Sequence, residues 1–471
     1  MKYLFLIFIL ILHILVLNQL TFTAWPEMLS YPYLLSNNFF FYKDFVMPYP
    51  PGLVLILSAV YHLFEFSPLV LKYFTWIYIL VGDLLIFLII KKLTNNLKLS
   101  FLLTFLYILL QSVLDGNMMW FEIGMLPFLL LEFLMVLAWL EKKRPIYLFW
   151  GALFLSFSIL VKQTAVLYSL PLLFILIKNR ELNYKNILYL IYGGAPLIGF
   201  IVYLVVNNSL MDFTNWNIYY PINFWSKFPG YTGFQISRRE FLTIMILGLT
   251  IFTCLFIEKL CLLNKKVLKN QTLILSLIFF VISTLIIYPR LTFFHLQPAL
   301  VFLIISLSLI IHHLTKFKII TLLLVSTIFL VVAGIYYQPK KEAIRFYGPE
   351  EIAWANFLNQ NLGSSEKVYL LGLNSSLYVY SDRLPPKGWL DNFGWYFEIP
   401  GVQDKFIKDL TADPPKLILR KIPASGNWFD LNVYQPQKVV EYIKLNYTKM
   451  KGTFFPSEIK QMGEVELWQR K

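Results

Sequence analysis

Pro51-Gly52-Leu53-Val54-Leu55-Ile56-Leu57-Ser58-Ala59-Val60-Tyr61-His62-Leu63-Phe64 is an apolar run of 14 residues that follows the outer-loop stretch Met47-Pro48-Tyr49-Pro50. A helix crossing the hydrocarbon core of a bilayer needs about 20 apolar residues, so this run reads as an interfacial or re-entrant helix. The reading decides the fold, because every later loop changes sides if 51–64 crosses. Eleven further apolar runs surround it, near 3–20, 69–90, 99–114, 123–140, 146–161, 164–177, 187–206, 241–257, 271–288, 292–311 and 317–335. The run 164–177 is short for a span.

Charge placement decides between the two topologies. With 51–64 lying in the interface and the N-terminus inside, the turns 91–98, 141–145, 178–186, 258–270 and 312–316 onward are cytoplasmic and, with Lys2, hold 16 basic residues. Seven lie outside or at outer helix ends: Lys43, Lys72, Lys162, Lys227, Arg238, Arg239 and Arg290. Letting 51–64 cross would invert this bias against the positive-inside rule. The sequence therefore predicts an all-α polytopic membrane protein of about eleven transmembrane helices, with residues 1–335 as the membrane part. Residues 336–471 form a small C-terminal α/β domain outside the cytoplasm. The N-terminal run lacks a small-x-small cleavage site and runs into Trp25-Pro26, so it reads as an uncleaved first span.

Composition agrees. Of 471 residues 58% are hydrophobic and 14% charged, whereas a soluble domain carries roughly a quarter charged residues; a cytosolic enzyme, a disordered chain and an ordinary nucleic-acid binder are excluded. The net charge of +14 first reports topology. Cys254 and Cys261 have neither metal-ligand nor disulfide-framework spacing and read as inert.

The tail begins where mixed polarity returns, at Tyr337-Gln338-Pro339-Lys340-Lys341. Gly348-Pro349-Glu350-Glu351 places Pro and acids in the first turn of a helix, with Ile352, Ala355, Leu358 and Leu362 expected on its buried face. Residues 366–373, 415–421 and 464–469 read as strands, 402–410 and 437–445 as helices. The tail has no phosphate-cradling glycine loop and no metal cluster; acceptor docking and plain packing over the membrane part are both open to it.

Long connections occur only on the outer side, at 21–68 and 207–240, and functional residues favour such loops. The first carries Glu27 and Asp44 in an aromatic, proline-rich setting beside lipid, where a carboxylate must be solvated, paired or used. Either suits a general base for an acceptor hydroxyl; equally, Asp44 pairs with Lys43 or caps a helix. A second outer turn brings Asp115, Asn117 and Glu122, which serve as caps or as substrate ligands. Lys162, in Lys162-Gln163-Thr164, and Arg290, after Tyr288-Pro289, are outer-side cations against the topological bias. They suit a lipid-linked phosphate or snorkelling to headgroups. His295 and Gln297 follow Arg290 by one to two turns, His295 being either a hydrogen-bonded core residue or part of the site. Asp83 and Glu132 lie inside spans and call for buried partners. Trp25, Tyr31, Tyr33, Tyr42, Tyr49, Trp120, Trp216, Tyr219, Tyr220 and Trp225 fit an interfacial belt and also sugar stacking, and Asn215, Asn217 and Asn223 are sugar ligands or turn residues.

Taken together, an acid just after the first span (Glu27), Asp44 before Pro50-Pro51-Gly52, the Asp115-Gly116-Asn117 turn, Lys162-Gln163-Thr164-Ala165, and Pro289-Arg290 leading to His295-Leu296-Gln297-Pro298 resemble the GT-C glycosyltransferases. The likeness is to the bacterial branch related to protein O-mannosyltransferases and aminoarabinose transferases, and covers most of 1–335. That resemblance implies an inverting transfer of a sugar from a polyprenyl-phosphate donor to a lipid, glycan or protein acceptor on the outer face, without nucleic acid. It implies Glu27 as base and Asp44 as orienting residue or alternative base. Lys162 and Arg290 would hold the phosphate leaving group, while Asp115, Asn117, Glu122, His295 and Gln297 would bind substrate. No cofactor is required by this reading; relatives differ in use of a divalent cation, and no compact ligand cluster is visible here. A lipid-linked glycan flippase, which would call for repeats and broken helices near mid-membrane, and an envelope glycan polymerase or ligase, using bases of the second loop such as Arg238 and Arg239, are the competing classes.

Overall fold

The computed structural model describes residues 2–228, 231–232, 236–261, 271–288, 290–314, 318–421, 436–450 and 465–471. Pro289, Lys316 and most of the turn 258–270 with its lysines lie outside the described residues, as does the Cys261 side chain. All eleven apolar runs fall on helices. Among the described residues five helices are long and apolar enough to cross a membrane, namely Pro68–Thr94, Leu97–Gly116, Phe121–Lys142, Phe294–His313 and Lys318–Tyr336. A sixth is the pair Tyr184–Gly193 and Ala195–Val206 if its 53° bend counts as one span. Four other runs lie on shorter apolar helices, Leu6–Gln19, Ile146–Val161, Gln163–Lys178 and Gln271–Leu285, and the run 241–257 lies on the 24-residue helix Arg238–Cys261. Helix Gly52–Leu63 occupies the short run, with Leu53, Val54, Leu57 and Tyr61 buried and Leu55 and Leu63 exposed.

Contacts divide the chain into two compact units, each assembled from separated stretches. The first is 1–22, 72–200 and 234–343; the second is 23–71, 201–233 and 344–471. Residues 23–71 and 201–233 thus group with the C-terminal residues, whereas a linear reading divides the chain once, between 335 and 336.

In the first unit, helix Gln297–His313 is the buried centre and Lys318–Tyr336 the most exposed span, at 83% and 28% burial of their apolar windows. An apolar surface as open as that of Lys318–Tyr336 belongs against lipid. Buried polar groups in the unit find partners across helices: Ser306 Oγ meets Ser276 Oγ at 3.1 Å and Tyr168 Oη meets Ser283 Oγ at 2.6 Å. Asp83 has His13 as its partner, Nδ1 to Oδ2 at 2.5 Å, and His13 Nε2 meets Gln111 Oε1 at 3.0 Å. Gln111 Nε2 donates to the Gly116 carbonyl at 2.9 Å, so its oxygen must face the imidazole and His13 donates from Nε2. Glu132, the other acid inside a span, is buried and accepts no hydrogen bond from the described residues.

The turn Ser112–Gly116 closes helix Leu97–Gln111, with Asp115 in the left-handed region at φ 53°. A Cβ on Gly116 would overlap the carbonyl and side chain of Gln111. Gly116→Ala is expected to destabilise the protein by about 1–3 kcal/mol, the usual cost of overpacking, read as a lowered unfolding temperature in detergent.

The second unit contains helix Glu27–Ser36, helix Gly52–Leu63 and a four-stranded sheet. Its strands are β1 Val368–Leu371, β2 Leu417–Lys421, β3 Tyr447–Lys449 and β4 Val465–Arg470, in the order β1-β2-β4-β3. β1 and β2 are parallel, pairing Val368 with Leu417; β2 and β4 are antiparallel, pairing Leu417 with Gln469. All four residues of β1 are buried, as a strand covered on both faces requires. Helices Pro349–Asn361, Val402–Ala412 and Gln437–Asn446 stand where the pattern predicts them, and the Gly348 N–H donates to Glu351 Oε2 at 2.8 Å. One expected core residue is misplaced: Ile352 is exposed, and Ala353, Trp354, Ala355, Phe357 and Leu358 are buried instead. Aromatic Trp354 and Phe357 bury more surface than Ile352 would and set the rotation of the helix. The strand β3 has no counterpart in the sequence reading, because three residues carry too little period to register.

Candidate active site

The first unit gathers Glu122, Lys162 and His295. Glu122 lies in the first turn of helix Phe121–Lys142, where the helix dipole favours a carboxylate. Lys162 terminates helix Ile146–Val161 with an extended backbone, φ −146° and ψ 123°, which turns its side chain away from the helix axis. His295 sits in the short turn Phe294–Leu296 that leads into Gln297–His313. Lys162 Nζ and His295 Nδ1 both contact Glu122 Oε1, and Glu122 is 1% exposed. Arg290 lies near enough to act electrostatically on His295. One carboxylate thus fixes a lysine and a histidine with an arginine beside them, leaving an excess of positive charge; such a group suits an anion with several acceptor oxygens.

The other three residues read from this side have different surroundings. Asp115 is exposed. Asn117 is buried, its Nδ2 directed at the carbonyls of Leu17, Leu20 and Thr21 at 3.0, 3.1 and 3.2 Å, and its Oδ1 accepts from Trp76 Nε1 at 2.9 Å. It therefore satisfies carbonyls at the end of the first helix. Gln297 is buried and donates from Nε2 to the Leu114 carbonyl at 2.6 Å, tying the helix after His295 to the Ser112–Gly116 turn.

The second unit holds Glu27 and Asp44. Glu27 opens helix Glu27–Ser36 directly after Pro26. It is 7% exposed, and its Oε2 is buried without a hydrogen-bond partner among the described residues. Burial pushes the carboxyl up to about 8; the Asp391 charge adds to this and a backbone hydrogen bond opposes it. Tyr31, one turn along the same helix face, donates to Asp391 Oδ2 at 3.3 Å. Asp391 Oδ1 accepts from the Asn392 N–H at 2.8 Å. Burial raises the Asp391 carboxyl to about 6 against the pull of hydrogen bonds from Asn392, Tyr31 and Ser375. Tyr396 lies within electrostatic reach of both acids. Trp225 stacks on its ring at 5.2 Å and Trp216 meets it edge-on at 5.4 Å. Part of the aromatic set legible in the loops therefore gathers beside the two acids.

Asp44 is engaged elsewhere in this unit. Its Oδ2 accepts from the Phe40 N–H at 3.0 Å and from Lys387 Nζ at 3.0 Å. Its carbonyl accepts from Gly388 and Trp389 at 2.7 and 3.0 Å. The partner is Lys387 of the tail, not Lys43. Of the loop asparagines, Asn217 and Asn223 donate to main-chain carbonyls one turn back, the turn use of this residue type.

Asp391 and Lys387 escape a reading of the sequence. The one available signal was the density of aromatic residues around Trp389-Leu390-Asp391-Asn392-Phe393-Gly394-Trp395-Tyr396, unusual for a tail assigned no chemistry. Among the described residues no group of three or more His, Cys, Asp or Glu is placed to hold a metal ion.

Residues 49–206 match the family profile described as dolichyl-phosphate-mannose-protein mannosyltransferase. No curated protein sequence matches the chain. Two crystal structures of ArnT from Cupriavidus metallidurans, one bound to undecaprenyl phosphate and one in the apo state, are similar over 99% of this chain and 97% of theirs, each with a TM-score of 0.60 and 11% identity. Identity this low speaks for the fold, and the fold is shared over almost the whole length. The chain, a membrane protein by its long apolar helices, is thus similar over 49–206 to that mannosyltransferase profile and shares the ArnT fold over almost its whole length.

Proposed function

We propose that the protein is an inverting glycosyltransferase that moves a sugar from a polyprenyl-phosphate donor to an acceptor hydroxyl or amine on the outer face of the membrane. The observation that carries this reading is Glu27, a buried carboxyl whose proton affinity is raised to about 8, near the value a general base needs at neutral pH. The acceptor oxygen or nitrogen attacks the anomeric carbon as the bond from that carbon to the phosphate oxygen breaks. The acceptor proton passes to Glu27 and polyprenyl phosphate leaves with the bonding pair. Lys162 and Arg290 are assigned to the phosphate, with Glu122, itself contacted by His295, holding Lys162 in place. Positive charge at the leaving group stabilises the transition state more than the ground state, and a phosphate needs no protonation to leave. The undecaprenyl phosphate bound in one ArnT structure supports a donor of this class.

Asp44 is assigned the orienting part, holding the 40–45 turn against Lys387. Asp44→Asn is therefore expected to lower stability by less than about 1 kcal/mol, as for a partly exposed ion pair, and to keep the transfer rate within about fivefold of wild type. A loss of two orders of magnitude with normal unfolding would return Asp44 to the catalytic chemistry.

Incubating the purified protein with candidate polyprenyl-phosphate sugars and following release of the lipid phosphate tests the reaction. Movement of the intact donor across vesicles without release would favour a flippase. Reporter fusions at 96, 143 and 340 test the topology, which the proposal takes as N-terminus inside and C-terminal residues outside.

A further inference from the structure

Glu27 and Asp391 come from distant parts of the chain, are both buried in the second unit and lie within electrostatic reach of each other. Tyr31, on the same helix face as Glu27, reaches Asp391 Oδ2 at 3.3 Å, and the Asn392 N–H holds the other Asp391 oxygen at 2.8 Å. Both acids are more than nine-tenths buried. Among the described residues neither has a salt bridge. The groups facing Glu27 are Asp391, Tyr31 and Tyr396, with Arg345 over the ring of Trp25 two residues earlier, at 5.7 Å. Those facing Asp391 are Tyr31, Ser375, Tyr369, Tyr378 and Tyr396. The nearby titratable groups are thus phenols and one another, and two carboxyls buried together cannot both ionise cheaply.

We infer that Asp391 is a positioning residue for the reaction: the C-terminal region supplies the second carboxyl of a pair with Glu27, and the proton taken from the acceptor is held by that pair. This rests on the reading of Glu27 as base and gives the C-terminal region a share in the chemistry. The hydrogen bonds from Tyr31 and Asn392 are spent on Asp391, whereas Glu27 Oε2 has none among the described residues. The pair is therefore asymmetric. Asp391 is the member stabilised as the anion, and its charge makes Glu27 the stronger proton acceptor. The proton moves from the acceptor O–H or N–H to Glu27, and to solvent after product leaves; no other reactant is needed.

The test is the pH profile of kcat/KM in the full-length protein. Asp391→Asn removes the charge and keeps the shape, so the acid limb is expected to move down by about one pH unit, raising the rate at pH 6 relative to that at pH 8.5 by about tenfold. Asp391→Glu is expected to return the limb towards wild type. A purely structural Asp391 would lower stability and leave the profile where it was; a superimposable profile overturns the inference. Should Asp391→Asn fail to fold, infrared difference titration of wild type against Glu27→Gln reads the pair directly. A carboxylic-acid band lost only as pH rises through about 8 supports it, and a band lost in the ordinary carboxylate range overturns it. Full activity in Glu27→Gln would sink the function reading itself, whereas an inactive Glu27→Gln with an unmoved Asp391→Asn profile sinks only this inference.

Discussion

Glu27→Gln is expected to lower transfer by roughly 10²- to 10⁴-fold, the usual contribution of a positioned general base, while the protein still folds. Its effect on stability runs the other way. The folded state holds the Glu27 proton up to about 8, against 4.5 for the free side chain, so between these values the folded state binds more protons than the unfolded one. Stability contributed by this group is complete below about 4.5 and is lost as pH rises through about 8. Gln does not ionise, so the variant is expected to unfold at a higher temperature than wild type at pH 8.5 and at nearly the same temperature at pH 5. In the wild type the same ionisation makes transfer rise with pH across that window. Paired melting curves and lipid-phosphate release at the two pH values check both halves. Retention of full activity in Glu27→Gln together with Asp44→Asn would remove the proposed base altogether.

Lys162→Met is the second variant with a large expected effect. If Lys162 stabilises charge on the leaving phosphate, its loss costs about 10²- to 10³-fold in kcat, as for removal of one donor at a developing anion. It also leaves Glu122 buried with one partner fewer, and breaking a buried ion pair by removing one member costs about 3–5 kcal/mol. The double variant Lys162→Met with Glu122→Gln separates the two effects. Stability is expected to recover, because no unpaired buried charge remains, and activity is not. Recovery of both would make the cluster a structural strut and move the phosphate to other residues. Product inhibition by a polyprenyl phosphate offers a second readout, since weaker binding of the released lipid is expected in both variants.

The competing lipid-flippase class rested on broken helices, and the one bent pair among the described residues, Tyr184–Gly193 with Ala195–Val206, contains no charge beyond Lys185 near its start. The titratable groups gathered in the two clusters lie at the ends of helices and on loops instead, where binding and chemistry are usually placed.

The apolar runs, the short helix at 51–64 and the C-terminal α/β unit were legible from the sequence because each depends on local quantities. Hydropathy over 20 residues, the period of apolar positions and the placement of Pro and Gly are all read within a window shorter than one element. The cations Lys162 and Arg290 stood out in the sequence because the charge count sets them, with five other bases, on the side against the bias. Rotation of a helix was less legible: Ile352 faces outward because Trp354 and Phe357 compete for the same core. What each candidate residue touches was decided only by the tertiary structure. Glu122 looked like a substrate ligand and is the anchor of Lys162 and His295, 40 and 173 residues away. Asp44 pairs across 343 residues with Lys387, and Tyr31 across 360 residues with Asp391. The identity of such partners has no local signature, because burial and Coulomb interaction depend on distance in space, and no window along the chain measures it.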